Sequence, residues 1–455
     1  MITTTNPATG QPLASYEPMT PAALENAVQQ GFTTAATWGD SSLELRLESL
    51  TRLAGVLRVE SPRLSALITA EMGKPIAEAA GEIEKSAITA EYYAAHAPAI
   101  LADERVDVGA AKAWIAYEPI GLVLAVMPWN FPVWQVLRFA VPTLAAGNGV
   151  LLKHSPNVTG SALALQQLFL DAGFPDGLIT TLIIDEEKVP STIEALIADD
   201  RIAAVTLTGS NRAGAAVGAA AGRASKHSVL ELGGSDAFVV LADADLEAAA
   251  TAAVKARFTN SGQSCVCAKR FILEEAIADD FIEAFVQGVK ELRPGDPADH
   301  STTLGPLARD DLRTALQRQV DESVAAGAKV LTGGRPIDGP GYYFEPTILT
   351  NVARGMPAFD EETFGPLAAV TIAANAEEAI SLANSTQYGL GLSVWSANHG
   401  VETARRITSG AAFINAIVAS DPRLPFGGTK RSGHGRELAT AGIREFTNTR
   451  TYWLA

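Results

Sequence analysis

Cysteine is the residue type best suited to covalent chemistry, and this chain of 455 residues contains only two, Cys265 and Cys267. Cys265 ends the segment FTNSGQSC, residues 258–265, in which a glycine-containing turn precedes the thiol. Such a turn can expose the sulfur and place it near helix amides that favour the thiolate. A lone cysteine is otherwise a small buried hydrophobe, and this segment alone leaves that alternative open.

A glutamate stands inside an otherwise apolar strand pattern. The segment VLELGG, residues 229–234, places Glu231 before two glycines. Burial of a carboxylate is costly unless it is paired or functional, and burial raises its pKa, which suits a general base. The alternative is a glutamate that accepts hydrogen bonds from backbone amides at a turn.

An asparagine lies between two prolines in the segment PWNFP, residues 128–132. In a stiff loop, the Asn130 amide can donate to an oxyanion. The alternative is an Asx turn that only shapes the loop. The three segments indicate acyl chemistry only when they are taken together.

Alternating strands and helices must position these residues. Strands are predicted at 121–126, 149–153, 178–184, 203–208 and 228–232, with helices at 133–146, 161–172, 192–198 and 212–224 between them. A second block has strands at 237–241 and 270–273 and helices at 246–260 and 278–288. This alternation predicts doubly wound parallel sheets in an α/β fold.

The chain begins with helical patterns at 21–30, 44–60 and from 61 to 95, with a break near residues 73–75. Residues 103–118 then predict a β-hairpin with its turn at 109–111. The β-like stretch 446–454 has no local partner, so it adds either to this hairpin or to another subunit.

Composition excludes several classes of protein. Hydrophobic residues make up 47% and charged residues 19%, as expected for a soluble globular enzyme. The net charge of −16 disfavours nucleic-acid and anionic-membrane binding. Two cysteines cannot build a disulfide framework, no metal-ligand spacing surrounds them, and the N-terminus lacks a signal-peptide pattern. We therefore expect a cytoplasmic enzyme without a metal.

Seven ordered motifs, spread over nearly the whole chain, resemble the aldehyde dehydrogenase superfamily. They are Pro128-Trp129-Asn130, Leu152-Lys153, Thr208-Gly209-Ser210, Glu231-Leu232-Gly233-Gly234, Gly262-Gln263-Ser264-Cys265, Glu362-Thr363-Phe364-Gly365-Pro366 and Pro425-Phe426-Gly427-Gly428. The resemblance implies two doubly wound α/β domains and a small β oligomerisation hairpin, in a homodimer or homotetramer. We expect a cofactor-binding domain at 1–99 and 120–232, a catalytic domain at 233–432, and oligomerisation elements at 100–119 and 433–455.

The resemblance also implies a reaction. Cys265 would attack an aldehyde carbonyl, with Asn130 and the Cys265 amide stabilising the oxyanion, and hydride loss would leave a thioester. Glu231 would then activate the water that releases the acid. A coenzyme A-acylating enzyme is a weaker alternative, because such relatives generally lack this glutamate. A non-catalytic binding protein on the same fold is another.

The cofactor implied by the resemblance is NADP or NAD. Segment 208–214 follows a strand and opens a helix, which presents amides to a pyrophosphate, although Ser210 could simply cap the helix. The implied cofactor contacts are Trp129, Lys153, Ser155, Gly209, Ser210, Leu232, Glu362 and Phe364. NAD-preferring relatives often carry a glutamate three residues after this lysine, where the chain has Pro156. We therefore expect that NADP is accepted and that NAD is also usable.

An arginine within an apolar helix indicates the substrate. Arg138 needs an anionic partner when buried, either a protein carboxylate or a ligand. The chain resembles the bacterial branch that oxidises succinate semialdehyde, in which residues matching Arg138 and Ser420 hold the distal carboxylate. Arg423 would add charge or pair with Asp421, and Thr259 stands where some relatives carry a second arginine. Glutarate semialdehyde and aliphatic aldehydes remain alternative substrates.

Cys267 forms a Cys-x-Cys pair with Cys265. Oxidation of a reactive thiolate by a neighbouring cysteine would provide a reversible redox switch, as in some relatives. The alternative is that Cys267 is inert packing.

Overall fold

A computed structural model describes residues 1–109 and 111–455. The helices are α1 Pro21–Gly39, α2 Leu43–Met72, α3 Ile76–Ile100, α4 Trp134–Ala145, α5 Thr159–Asp171, α6 Val189–Ala198, α7 Asn211–Arg223, α8 Leu246–Phe258, α9 Glu275–Lys290, α10 Asp310–Ala325, α11 Pro357–Asp360, α12 Ala376–Asn384, α13 Gly400–Arg405 and α14 Ala439–Arg444. The strands are β1 Ile2–Asn6, β2 Gln11–Tyr16, β3 Glu104–Val108, β4 Ala111–Pro119, β5 Leu122–Met127, β6 Gly149–His154, β7 Ile179–Thr181, β8 Ile202–Thr208, β9 His227–Glu231, β10 Asp236–Val240, β11 Ala268–Glu274, β12 Lys329–Thr332, β13 Thr347–Thr350, β14 Leu367–Ala373, β15 Leu392–Trp395, β16 Phe413–Ile414, β17 Gly433–His434 and β18 Thr447–Leu454.

The first large sheet has the strand order β17-β9-β8-β5-β6-β7. Strands β5 to β9 are mutually parallel, and their apolar residues are buried on both faces because helices cover both sides. The order reverses between β5 and β8, which is the position where open α/β sheets bind ligands at the carboxyl ends of their strands. Asn130 and Ser210 follow those two strands.

The second large sheet has the order β12-β13-β14-β11-β10-β15-β16. Only β12, at one edge, runs antiparallel to its neighbour. Helices α8 and α9 pack on one face and α12 and α13 on the other. The chain is thus an α/β protein with two doubly wound sheets, as the sequence predicted.

The predicted hairpin is formed by β3 and β4, and β18 adds to the outer edge of β4. Of the two options for the terminal strand, the structure therefore shows pairing within the same chain. Ala110, part of the predicted turn, lies outside the described residues. Gly433 and His434 instead pair with β9 of the first large sheet. The terminal segment from 433 onward is thus shared between two sheets.

Several predicted boundaries were wrong. Helix α2 is continuous through Pro62, because the surrounding turns lie on the core that contains Leu57 and Leu64. The predicted break after it is confirmed at Gly73, whose left-handed φ of 79° ends the helix. The strand predicted at 178–184 is only three residues long, and the N-terminal hairpin of β1 and β2 was not predicted.

A buried ion pair fixes the start of α4 against α3. Glu82 pairs with Lys74, and both side chains are almost fully buried. The other oxygen of Glu82 accepts hydrogen bonds from the amides of Val133 and Trp134, at 2.8 and 2.9 Å. A carboxylate at a helix N-terminus satisfies amides that have no partner within the helix. Glu82 therefore sets the position of the loop that carries Asn130.

We predict that Glu82→Ala destabilises the protein by about 3–5 kcal/mol, because Lys74 would be left as an unpaired buried charge. Urea and thermal unfolding would measure this change. Glu84→Ala on the same helix is the matched control, since Glu84 is exposed and pairs with Arg58 at the surface. Its loss should cost about 0–1 kcal/mol. Equal effects of the two substitutions would contradict the assigned role of Glu82.

Candidate active site

Two clefts meet at Cys265. The first, here called the α3–α4 cleft, has a volume of about 330 Å³ and is lined by Lys85, Trp134 and Arg138 together with the segments 264–267 and 417–420. The second, the strand-end cleft, has a volume of about 220 Å³ and is lined by the segments 128–130, 208–210 and 231–233. Cys265 and Gln135 line both clefts. A group bound to the sulfur can therefore be approached from two sides.

A sharp turn places Cys265 between the clefts. Asn260 and Ser261 both have left-handed φ values of 53°, and Gly262 follows with a φ of 72°. A Cβ at Gly262 would lie 2.3 Å from the Gly365 carbonyl oxygen, so only glycine fits there. Left-handed conformations of other residues are strained and persist only where the surroundings enforce them. Here Glu78 on α3 accepts a hydrogen bond of 2.7 Å from the Asn260 amide.

The surroundings of the Cys265 thiol favour its protonated form. The residue is only partly buried because the clefts reach it, yet the surrounding protein desolvates the sulfur. Burial raises the pKa of Cys265 to about 12, and the positive charges of Arg138 and Lys269 oppose this rise. Lys269 donates hydrogen bonds to the carbonyl oxygens of Cys265 and Ser264, at 2.7 and 3.1 Å.

Asn130 is tied to the same turn. Its side-chain amide donates to the backbone carbonyl oxygen of Gln263 at 3.0 Å. The backbone carbonyl oxygen of Asn130 in turn accepts from the Asn260 side chain at 2.8 Å. An amide nitrogen carries two hydrogens, so one N–H of Asn130 is left for another acceptor. Asn130 lines the strand-end cleft with Cys265. The loop after β5 and the turn before Cys265 are thus locked together.

Glu231 ends β9 as a buried carboxylate whose two oxygens have no hydrogen-bond partner among the described residues. Burial raises the pKa of Glu231 well above its usual value, and repulsion by the buried Glu437 raises it further. Arg138 and Arg436 act in the opposite direction. A Cβ at Gly427 would lie 2.7 Å from Glu231 Oε1, so the backbone approaches the carboxylate closely there.

Several predicted cofactor residues lie around the strand-end cleft: Trp129, Gly209, Ser210, Leu232, Glu362 and Phe364. Ser210 caps α7, and its hydroxyl accepts from the Ala213 amide at 3.3 Å. Trp129 and Phe364 pack edge to face, with ring centroids 5.6 Å apart. Glu362 accepts from the Gly234 amide at 3.0 Å and lies 3.6 Å from Lys269 Nζ.

Lys153 and Ser155 lie outside the strand-end cleft. Lys153 lines a small cavity with Thr181 of β7 and the segment 182–184 that follows it, and burial lowers the pKa of Lys153. Ser155 lines a separate cavity with Asn157, to which it donates a hydrogen bond of 2.7 Å, and with Arg309. Arg309 also lines the strand-end cleft, so it lies between that cleft and the Ser155 cavity.

The predicted substrate residues separate into two groups. Arg138 and Ser420 both line the α3–α4 cleft. Arg138 is also paired with the buried Glu437, so the alternative of a structural ion pair is present in the structure. Arg423 lies elsewhere: it is exposed and forms a bidentate pair with Asp421, at 2.8 and 2.7 Å. Of the two alternatives for Arg423, the structure shows the pair with Asp421, which holds the guanidinium at the surface.

Cys267 lies two residues after Cys265 and is buried, and neither cysteine forms a disulfide. Its sulfur lies 2.8 Å from Arg257 Nη1 and 2.9 Å from the Ser264 carbonyl oxygen. Its role as a redox partner stays a prediction.

Sequence reasoning missed three charged residues of the site: Lys85, Lys269 and Glu437. Lys269 stood in the apolar strand pattern of β11, and a charge there is a signal that could have been used. Lys85 lies seven and three residues after Glu78 and Glu82, a spacing that places polar groups on one helix face. Glu437 gave no such signal, because the segment 427–437 has no regular period.

Comparison with known proteins identifies the family of this chain. The family model "Aldehyde dehydrogenase family" matches residues 1–452. Succinate semialdehyde dehydrogenase [NAD(P)+] of Escherichia coli is 48% identical over 98% of this chain and 96% of its own length. A Mycobacterium bovis succinate-semialdehyde dehydrogenase [NADP(+)] is 45% identical over the whole of both chains. The chain belongs to the aldehyde dehydrogenase family.

A solved structure shares the fold. Succinic semialdehyde dehydrogenase from Streptococcus pyogenes, in complex with NADP+, is 35% identical, covers both chains completely and has a TM-score of 0.96. The aldehyde dehydrogenase-like fold expected from the sequence is therefore confirmed. Within residues 1–109 and 111–455, every helix is too short or too polar to cross a bilayer.

We predict that iodoacetamide alkylates the ligand-free protein at Cys265 with a rate that rises about tenfold per pH unit between about pH 7 and pH 10, because only the thiolate reacts. A pKa of about 12 means that no plateau occurs in this range. Mass spectrometry of quenched samples would give the rates.

Cys265→Ser should remove this labelling, and Cys267→Ser should keep the same pH profile. A plateau near pH 8 would show that the thiol ionises far more readily than its burial indicates.

Proposed function

We propose that this protein oxidises an aldehyde to a carboxylic acid through a covalent Cys265 intermediate, with succinate semialdehyde as substrate and NADP or NAD as hydride acceptor. The observation that carries the proposal is the position of Cys265, which lines both clefts. One cleft contains cationic and hydroxyl groups suited to a carboxylate, and the other lies at the switch point of a doubly wound sheet. The names of the relatives support the same substrate and cofactors.

The first step is attack of the Cys265 sulfur on the aldehyde carbon. A carbon–sulfur bond forms and the carbonyl oxygen becomes an oxyanion, for which the free N–H of Asn130 is a donor. Hydride would then be lost to NADP or NAD held in the strand-end cleft, which would leave a thioester on Cys265. Because burial favours the Cys265 thiol, its proton must first pass to water in the cleft, and the positive charges of Arg138 and Lys269 favour the thiolate that remains.

The second step is hydrolysis of the thioester. Glu231 takes a proton from water, the resulting hydroxide attacks the thioester carbon, and the carbon–sulfur bond breaks to release the acid and the Cys265 thiolate. The buried Glu231 carboxylate has two unpartnered oxygens and a raised pKa, as a general base requires. A glutamate in this position favours hydrolysis over transfer of the acyl group to coenzyme A.

The strand-end cleft is suited to the nicotinamide half of a dinucleotide, whose adenosine half would lie beyond Arg309, near the cavities lined by Lys153 and Ser155. The start of α7 presents backbone amides to a pyrophosphate, and Gly214 permits the close contact of that helix with Leu232, since a Cβ would lie 2.5 Å from the leucine. Trp129, Leu232, Glu362 and Phe364 would hold the nicotinamide half. Lys153 and Ser155 would contact the adenosine ribose, where Pro156 introduces no carboxylate against a 2′-phosphate.

The three-stranded sheet of β3, β4 and β18 would join subunits. Trp453 and Leu454 are 61% and 57% exposed at the end of β18, an apolar surface that a homodimer or homotetramer would cover.

We predict that kcat/KM for succinate semialdehyde exceeds that for butyraldehyde by at least about tenfold, because butyraldehyde has the same chain length without the carboxylate. Formation of NADPH or NADH at 340 nm, about the absorbance maximum of the reduced cofactor, would measure both. Glutarate semialdehyde is the third substrate. Turnover is expected with NADP and with NAD. Preference for butyraldehyde would overturn the substrate, and negligible turnover with NADP would overturn the cofactor assignment.

We predict that Glu231→Gln lowers kcat about 10²- to 10⁴-fold, because hydrolysis loses its base. Stopped-flow measurements should still show a burst of one reduced cofactor per subunit, since the thioester forms before Glu231 acts. In the unsubstituted protein, kcat should rise with pH, because the raised pKa of Glu231 means that its basic carboxylate form is reached only at higher pH.

Glu247→Gln, at an exposed position of α8, is the matched control and should keep normal turnover. Loss of the burst in Glu231→Gln would assign this residue to the first step instead.

A further inference from the structure

The arginines near the α3–α4 cleft already have protein partners. Arg138 pairs with Glu437, and its guanidinium lies 4.5 Å from the centroid of the Phe426 ring. Arg423 pairs with Asp421 at the surface. A ligand carboxylate would have to share Arg138 with Glu437, whose charge repels it. Selection of an acidic substrate therefore calls for another cation that lines the cleft.

Lys85 lines this cleft as a cation that forms no ion pair with a carboxylate within residues 1–109 and 111–455. Its ammonium group donates to Ser420 Oγ at 2.7 Å and lies 4.5 Å from the centroid of the Trp134 ring. Among the described residues, its nearest acidic neighbours are engaged elsewhere: Glu82 with Lys74, and Asp421 with Arg423. A desolvated ammonium group that faces a cavity is suited to an anionic ligand.

We propose that Lys85 recognises the distal carboxylate of the substrate, together with Ser420. This inference rests on the proposed function and names the residue that makes the site selective for an aldehyde with an acidic end. The Lys85 ammonium and the Ser420 hydroxyl lie side by side, so the two oxygens of one carboxylate can each accept from one of them. Arg138 would then add long-range attraction while it stays paired with Glu437.

The electrostatics of Lys85 favour discrimination. Burial lowers its pKa to about 8, with Arg138 acting in the same direction, while Asp421, Glu82 and Cys265 act against it. A bound carboxylate would restore the interactions that desolvation removes, so it would hold Lys85 in its charged form. An uncharged aldehyde leaves the ammonium group without this compensation. The same residue thus favours one ligand and disfavours the other.

A structural role is the competing explanation. The Lys85–Ser420 hydrogen bond joins α3 to the segment 417–420, and its loss could deform the cleft for every aldehyde. The two explanations differ in one measurable respect. A positioning role changes turnover of all substrates, whereas carboxylate recognition changes KM for acidic substrates alone.

The test compares Lys85→Met, Lys85→Arg and Ser420→Ala with the unsubstituted enzyme, using succinate semialdehyde and butyraldehyde. Methionine keeps an unbranched side chain over Trp134 but has no charge. Lys85→Met should raise KM for succinate semialdehyde about 10- to 100-fold with little change in kcat, because a charge-assisted hydrogen bond is lost. Values for butyraldehyde should stay within about twofold. Lys85→Arg should recover part of the loss, and Ser420→Ala should cause a smaller one.

Inhibition by succinate, with butyraldehyde as substrate, gives a second readout that does not require turnover of the acidic aldehyde. Its inhibition constant should rise in Lys85→Met by a factor similar to that for KM. Lys290→Met, an exposed lysine on α9, is the matched control and should change neither value. Thermal unfolding would establish that each variant is folded.

The outcomes separate this inference from the function on which it rests. If the unsubstituted enzyme does not prefer succinate semialdehyde, the proposed function fails. If it has that preference and Lys85→Met keeps it, only the role of Lys85 fails. Equal losses for both aldehydes, without recovery in Lys85→Arg, would overturn carboxylate recognition in favour of the structural role.

Discussion

The site depends on a small hydrogen-bond network that joins the two large sheets. The loop after β5 and the turn before Cys265 exchange hydrogen bonds through Asn130, Asn260 and Gln263. Gln263 continues the network to the Ala308 amide, at 2.9 Å. These groups are buried, so each lost partner would leave a desolvated polar atom. The network therefore enforces the left-handed backbone at 260–262 and holds the turn that carries Cys265 against the loop that carries Asn130.

Two buried ion pairs also shape the site. Glu82 with Lys74 fixes the start of α4, and Arg138 with Glu437 lies beside Glu231. Such pairs contribute little net stability compared with apolar packing, but removal of one member is costly. Neither member of a pair can move away without leaving its partner as an unpaired buried ion. The pairs therefore keep fixed positions and fix the charges around the clefts.

Most of the fold could be predicted from the sequence because buried parallel strands produce apolar runs of characteristic length. That alternation predicted the strands β5 to β9 and their parallel sheet, but not the order of the strands in it. The motifs singled out Cys265, Glu231 and Asn130, all of which line the strand-end cleft. Tertiary packing decided the rest. Helix α2 continues through Pro62 because the core holds both of its halves, and Arg423 turns outward because Asp421 is two residues away. Lys85 was missed because its place in the cleft is apparent only from its contact with Ser420, which lies 335 residues further along the chain.

Because Cys265 lines both clefts, the arrangement bears on the order in which ligands bind and leave. The two clefts share Cys265 and Gln135 and are otherwise lined by different residues, so each of two ligands would have a space of its own. On the proposed function, the reduced cofactor can depart while the acyl group is still attached to the sulfur. Its departure would clear the strand-end cleft, which Glu231 also lines, and water could then enter by the route that the nicotinamide had used. On the proposed function, the departure of the cofactor would thus come before the entry of the hydrolytic water.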